Sequence, residues 1–419
     1  MATMRDILAN RVYAKLFGAQ VIALIGTGLL TVALGLLAFD LAGGDAGIVL
    51  GTALTIKMVA YVGVAPLSAA MTSHLPRKLL LVSSDAVRGA VAVSLPFVTE
   101  VWQIFVLIFV LQAASATFTP AFQALIPEVL PDEGQYTRAL SLSRLAYDLE
   151  SLLSPVIAAA LLTVISYHNL FLGTAFGFLG SAVLVLAATL PGARPHQVAP
   201  FVERLTSGVG VFRRTPELRA LAALNLGVAA ATAMVLVNTV VLVQQQFSRP
   251  AVDVAVALAC YGLGSMIVAL SAPRLIARFL DRRVMLFGSA VLPVGLVLAA
   301  GVAALPDPLA GSPLSHSPAA WAAALGIWFL LGAATSLILT PSARLLRRAS
   351  TTANGPAVFA AQFSLSHACF ILTYPLAGLI GALAGLSVAA LALAVIAAAA
   401  GWLALREFSS ASQPAAAQG

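Results

Sequence analysis

Residues 16–39 read LFGAQVIALIGTGLLTVALGLLAF, a run without a single charge. A helix of about 20 such residues, at ~1.5 Å per residue, crosses the hydrocarbon layer of a bilayer. Membrane strands instead alternate polar and apolar positions, because one face meets lipid and the other a lumen. Here apolar residues cover every side, so the run is a helix.

Similar runs follow along the whole chain. Together they predict twelve spans near 14–39, 47–71, 79–98, 101–125, 140–165, 170–190, 219–246, 253–273, 284–305, 319–341, 356–382 and 384–405. Two stretches, 79–125 and 356–405, contain no polar break long enough for a loop; they divide at Thr99-Glu100 and near Leu383. Of the 419 residues 60% are apolar and 9% charged, and the mean hydropathy is +0.99. Soluble domains carry roughly 25% charged residues. A water-soluble chain would have no polar cover for this much apolar surface. The expected fold is an all-α integral membrane protein, with twelve transmembrane helices in two pseudo-symmetric six-helix bundles.

Cations give the orientation. Nineteen of the 23 Lys and Arg fall in the N-terminal segment, in loops after even-numbered spans, or in the C-terminal segment. Arg249 alone sits in an opposite-side loop, and Lys57, Arg88 and Arg144 lie inside spans. Both termini are therefore expected in the cytoplasm, and the net charge of +7 reflects this bias. No basic and aromatic stripe marks a nucleic-acid partner. Cys260 and Cys369 occupy different spans, so no structural disulfide is expected. Arg5, Arg11 and Lys15 precede a run too long for a signal peptide, which reads as an uncleaved first span. Twenty Arg against three Lys, with heavy Ala use, point to a GC-rich bacterial source and an inner membrane.

The polar segment 191–217 divides the chain into an N-terminal bundle, 1–190, and a C-terminal bundle, 218–419, that ends in a short disordered tail. Within the segment, Phe201 to Phe212 is expected to form an amphipathic helix on the cytoplasmic surface. The halves echo one another. His74-Leu75-Pro76-Arg77-Lys78-Leu79-Leu80-Leu81 aligns with Phe279-Leu280-Asp281-Arg282-Arg283-Val284-Met285-Leu286. Thr119-Pro120 matches Thr340-Pro341, and Ser141-Leu142-Ser143-Arg144 matches Ser364-Leu365-Ser366-His367. Elements repeated in one order fit a transporter built from two parallel repeats.

On these residues the chain resembles the major facilitator superfamily, over nearly its whole length. Ser115 to Leu140, with Thr119-Pro120-Ala121-Phe122 and Leu125-Ile126-Pro127-Glu128, resembles the twelve-span drug:proton antiporters that include macrolide and siderophore exporters. Gly208, Arg213 and Pro216-Glu217-Leu218-Arg219 resemble the end of that group's central loop. Ser364 to Gly378 is similar to a branch of nickel-resistance permeases. The loop motif Gly-x-Leu-Ala-Asp-Arg-x-Gly-Arg-Arg survives only as the cationic pair Arg77 and Lys78, with Ser73 in place of the acid. The resemblance implies a monomeric carrier that exchanges protons for a small-molecule or ion substrate by alternating access, without a cofactor.

Charges inside a bilayer cost at least ~2.5–3.5 kcal/mol each on insertion scales, so they mark cavities or partners. Lys57 lies about ten residues into its span, too deep to snorkel easily. It either attracts anionic solute groups or pairs with a carboxylate. Arg144 and Asp148, at i and i+4, share a helix face and can pair. Glu150 points elsewhere and is the leading proton carrier, with a fixed partnership to Lys57 as the alternative. Asp85 and Arg88 form a local pair. His367 titrates, binds metal or bonds a neighbouring helix; Tyr374 shares its face.

Gln20, Gln112, Asn225, Asn238 and Gln362 are uncharged candidates that either read a solute or join helices. Spans one, four, seven and ten line the cavity in the resembled fold. Tyr61, Tyr261, Phe105 and Phe109 form either an apolar wall or core packing. Pro155 and Pro375 occupy equivalent places and are expected to bend their helices during gating. No phosphate-binding Gly-x4-Gly-Lys loop is present, so an ion gradient must drive transport. Neither a nucleophile motif nor a chelating cluster appears, so neither an enzyme nor a metal site is expected. A metal-ion or metal-chelate efflux permease and a non-transporting sensor or scaffold remain as alternatives.

Overall fold

The computed structural model describes residues 4–71, 76–190, 201–305, 317–349 and 355–411. The helices are α1 (Met4–Ala9), α2 (Arg11–Ala42), α3 (Ala46–Met71), α4 (Arg77–Ser94) and α5 (Val101–Val129). They continue as α6 (Glu133–Leu162), α7 (Tyr167–Ala187), α8 (Phe201–Arg214), α9 (Pro216–Val241) and α10 (Ala251–Arg278). The last are α11 (Asp281–Ala303), α12 (Pro318–Arg348), α13 (Gly355–Ala384) and α14 (Leu386–Ala411). No strand occurs among the described residues.

Twelve of these helices are long enough to span; α1 and α8 are short. Among the described residues ten stretches are both long and apolar enough to cross a membrane, and the first of them, Arg11–Val64, takes in α2 and most of α3. In α6 the apolar stretch among the described residues is Leu153–Leu162. Its preceding turns carry Glu133, Arg138, Arg144, Asp148 and Glu150.

Local chemistry sets the helix ends. α4 stops in a tight turn at Leu95–Phe97, and Glu100 then opens α5 with a capping box. The Gln103 side chain reaches back to the Glu100 N–H at 3.2 Å, which satisfies an end donor of the new helix. Gly385, at φ +90°, separates α13 from α14 and donates back to the Gly381 carbonyl at 3.1 Å. α9 ends in one wide turn, Leu242–Gln246, where Phe247 N–H donates to the Leu242 carbonyl five residues back, at 3.0 Å.

The chain forms two compact units, one of Met1–Ala42 and Ile56–Gln197, the other of Gly43–Thr55 and Val198–Gly419. Within the first, α2 packs on α6 and α7, and α4 packs on α5 and α7. Within the second the same relations recur: α9 packs on α13 and α14, and α11 on α12 and α14. α8 lies against α13. Large apolar side chains remain on the outside, including Phe97 at 79%, Phe176 at 72% and Val395 at 68% exposure. Water would not tolerate so many; lipid does.

Small residues let backbones touch where no hydrophobic drive pulls helices together. Thr174 Oγ1 donates to the Gly26 carbonyl at 2.8 Å, which ties α7 to α2. In the second unit a Cβ on Gly332 would overlap the Tyr261 carbonyl, and one on Gly264 would overlap that of Phe329. α10 and α12 therefore meet backbone to backbone. Gly332→Leu is expected to cost ~3 kcal/mol or more through overpacking. Thermal unfolding of the purified protein in detergent checks this, and an unchanged midpoint would refute it.

Candidate functional site

In the first unit polar side chains line up where α2, α3, α5 and α6 face one another. Ser143, Tyr147, Glu150 and Ser154 follow at steps of three and four residues, so they share one face of α6. Ser143 Oγ donates to Gln20 Oε1 on α2 at 2.9 Å. Farther along α2, Gly28 leaves the room that Glu150 and Ser154 occupy. A Cβ there would stand 2.7 Å from Glu150 Oε1 and would overlap Ser154.

Lys57 approaches from α3. Its ammonium and the Glu150 carboxyl attract one another, and both residues are half-buried. Tyr61, one turn along α3, hydrogen-bonds Thr119 of α5 and interacts with Tyr147. Lys57 with Glu150 and Tyr61 with Tyr147 thus form consecutive rungs. Below them lies a cavity of about 50 Å³. Gln20, Thr119, Ser143 and Tyr147 form its polar side, and Phe118, Phe122 and Ile126 its apolar side.

Asp85 and Arg88 sit behind this row. Asp85 is 0% and Arg88 5% exposed, and the two form an ion pair on successive turns of α4. Ser181 Oγ donates to Asp85 Oδ2 at 2.8 Å. The guanidinium lies between the Phe118 and Phe178 rings, 4.3 and 4.5 Å from their centroids. Each charge is thus compensated inside an apolar unit. Arg77 pairs with Glu128 at the end of α5, and Lys78 Nζ donates to the Ala188 carbonyl that ends α7, at 3.1 Å. Gln112 is buried in α5. The side chains of Arg144 and Asp148 lie outside the described residues.

The second unit holds uncharged groups. Asn238 Nδ2 donates to the Ala377 carbonyl of α13 at 3.2 Å, beside Gly47 and Gly381. The Asn225 amide and Gln362 Oε1 are buried without a hydrogen-bond partner among the described residues. His367 Nδ1 lies 2.7 Å from the carbonyl of Phe363, and its ring rests on the Phe363 ring at 4.0 Å. Tyr374 stacks on Phe370 at 5.0 Å. Tyr261 OH donates to Thr335 Oγ1 at 3.3 Å and meets Thr232 Oγ1 at 3.2 Å. Pro155 and Pro375 lie inside α6 and α13. No three His, Cys, Asp or Glu side chains converge on a metal position among the described residues.

Thr232, Thr335 and Tyr147 carry no sequence signal. A threonine in an apolar helix commonly bonds its own backbone four residues back, as Thr239 does here. Ser154 is visible in the sequence only as the neighbour of Pro155.

A family model of the Major Facilitator Superfamily matches residues 16–311. The chain belongs to that superfamily of membrane transporters. Macrolide efflux protein A of Enterococcus faecalis is 25% identical over 185 residues, 41% of this chain and 57% of that protein. The MFS-type transporter YfiS of Bacillus subtilis is 25% identical over 158 residues, 36% of this chain and 38% of that protein. The chain thus spans about half the length of the curated relatives it matches. Among solved structures, the nucleoside transporter NupG superposes with a TM-score of 0.73 at 13% identity, over 95% of this chain and 100% of that one. A bacterial homologue of the human lysosomal transporter Spinster gives 0.73 at 13% identity, over 96% and 98%. These likenesses establish the multi-pass helical fold.

Proposed function

We propose that this transporter is a proton-coupled exporter of a small neutral or anionic organic solute in a bacterial inner membrane, with both termini cytoplasmic and one chain as the working unit. The carrying observation is the Glu150 carboxyl, set against Gly28 and drawn to Lys57 inside a helical unit. An ionised Glu150, balanced by Lys57, accepts a hydrogen bond from a solute. A proton on the same carboxyl turns one oxygen into a donor and leaves a neutral, weaker acceptor. Solute and proton therefore compete for one group, which is what an antiporter requires. Efflux is supported by the names of the macrolide relatives. Pro155 and Pro375 supply bending points in α6 and α13 as access alternates.

The substrate is sought by a resistance and accumulation screen, macrolides included, in a strain lacking its own exporters. The purified protein in liposomes then tests coupling. A one-unit pH gradient, worth about 1.4 kcal/mol, should sustain a solute gradient of about tenfold for one proton exchanged. Solute movement that ignores both the gradient and a protonophore would refute coupling.

A further inference from the structure

We infer that the cavity between Gln20, Thr119, Ser143 and Tyr147 is a water-filled antechamber through which protons reach Glu150. The inference rests on the reading of Glu150 as the proton-binding group, and it adds the route. Size points to water. A cavity needs ~10–15 Å³ per water by this measure, so 50 Å³ holds about four. An apolar cavity that accepts benzene measures ~150 Å³, so this one is too small for an organic ring.

Lining points the same way. A buried water needs two to four polar partners, and four polar side chains face this space. Gln20, only 7% exposed, already accepts from Ser143. Geometry supplies the direction. Ser143, Tyr147 and Glu150 follow one another on a single face of α6, so the carboxyl lies ~10 Å along the axis from Ser143. Hydroxyls and waters ~2.8 Å apart bridge that distance in about four steps. One turn past Glu150, Ser154 is 1% exposed and its Oγ has no hydrogen-bond partner among the described residues. The row therefore continues beyond the carboxyl with a hydroxyl that still lacks a neighbour.

Among the described side chains, the ionisable groups near Glu150 are few. α3 presents Lys57 and Tyr61, α6 itself presents Tyr147, and α2 presents uncharged Gln20 and Gly28. Arg88 and Asp85 on α4 neutralise each other. The path thus crosses hydroxyls and waters, which relay protons without holding a charge, while the Gln20 amide holds the Ser143 hydroxyl in place.

Infrared spectra of the purified full chain give a test that needs no substrate. The band of a protonated carboxyl that Glu150→Gln removes reports this group, and its shift in heavy water reports how fast its proton exchanges. Ser143→Val and Gln20→Leu should each slow that exchange about tenfold, the loss of one hydrogen-bonded relay contact. Ser143→Thr, which keeps the hydroxyl, should restore the rate to within about twofold of the natural chain. Unchanged exchange in both Ser143→Val and Gln20→Leu would overturn the route. If Glu150→Gln removes no pH-dependent carboxyl band, the underlying reading of Glu150 fails instead.

Discussion

Glu150→Gln is expected to lower proton-driven transport by at least about a hundredfold, the factor that one positioned proton-transfer group contributes. Solute exchange at equal concentration on both sides should persist, because it moves no net proton. The amide keeps the shape against Gly28 and Ser154, so loss through misfolding is not the expected outcome. Lys57→Met behaves differently. It leaves the half-buried carboxyl without the cation it is drawn to, which costs ~1–3 kcal/mol. Adding Glu150→Gln to Lys57→Met should recover most of that stability while transport stays uncoupled. Liposome flux and detergent unfolding midpoints measure the two effects separately. Full proton-driven transport in Glu150→Gln would end the proposal for this carboxyl.

The second large effect concerns Asp85 and Arg88. Arg88→Leu strands a carboxylate that is 0% exposed and retains only Ser181 as a donor. A loss of ~3–5 kcal/mol follows, along with the cation–π contacts to Phe118 and Phe178. Asp85→Leu combined with Arg88→Leu removes both charges and should be far milder than either change alone. Unfolding midpoints for the three variants form a double-mutant cycle. If the double variant loses as much as the two single losses added together, the pair contributes no coupling.

These expectations draw unevenly on the sequence. Helix positions are legible because apolar length is a property of each segment taken alone. Even the divisions at Glu100 and near Leu383 leave local marks, a capping residue in one case and a left-handed glycine in the other. Asp85 and Arg88 are legible as neighbours because both stand on one helix. Lys57 and Glu150 enter only as an alternative partnership, since they stand on α3 and α6 and no spacing within either segment relates them. Gly28 explains why Glu150 faces α2, yet a glycine in an apolar run looks like any other. His367 shows the opposite case: its isolation in the sequence draws attention, whereas its ring bonds and stacks on the preceding turn of its own helix.

The charges that α6 carries, Arg144, Asp148 and Glu150, have a consequence for biogenesis. During synthesis each nascent segment is offered to lipid, and one that bears several charges gains too little to partition by itself, at ~2.5–3.5 kcal/mol per central charge. Entry of α6 is therefore eased by α2 and α3, already made, which offer Gln20 to its Ser143 and Lys57 to its carboxyl. The helix that carries the proposed chemistry thus enters the bilayer with help from helices made before it.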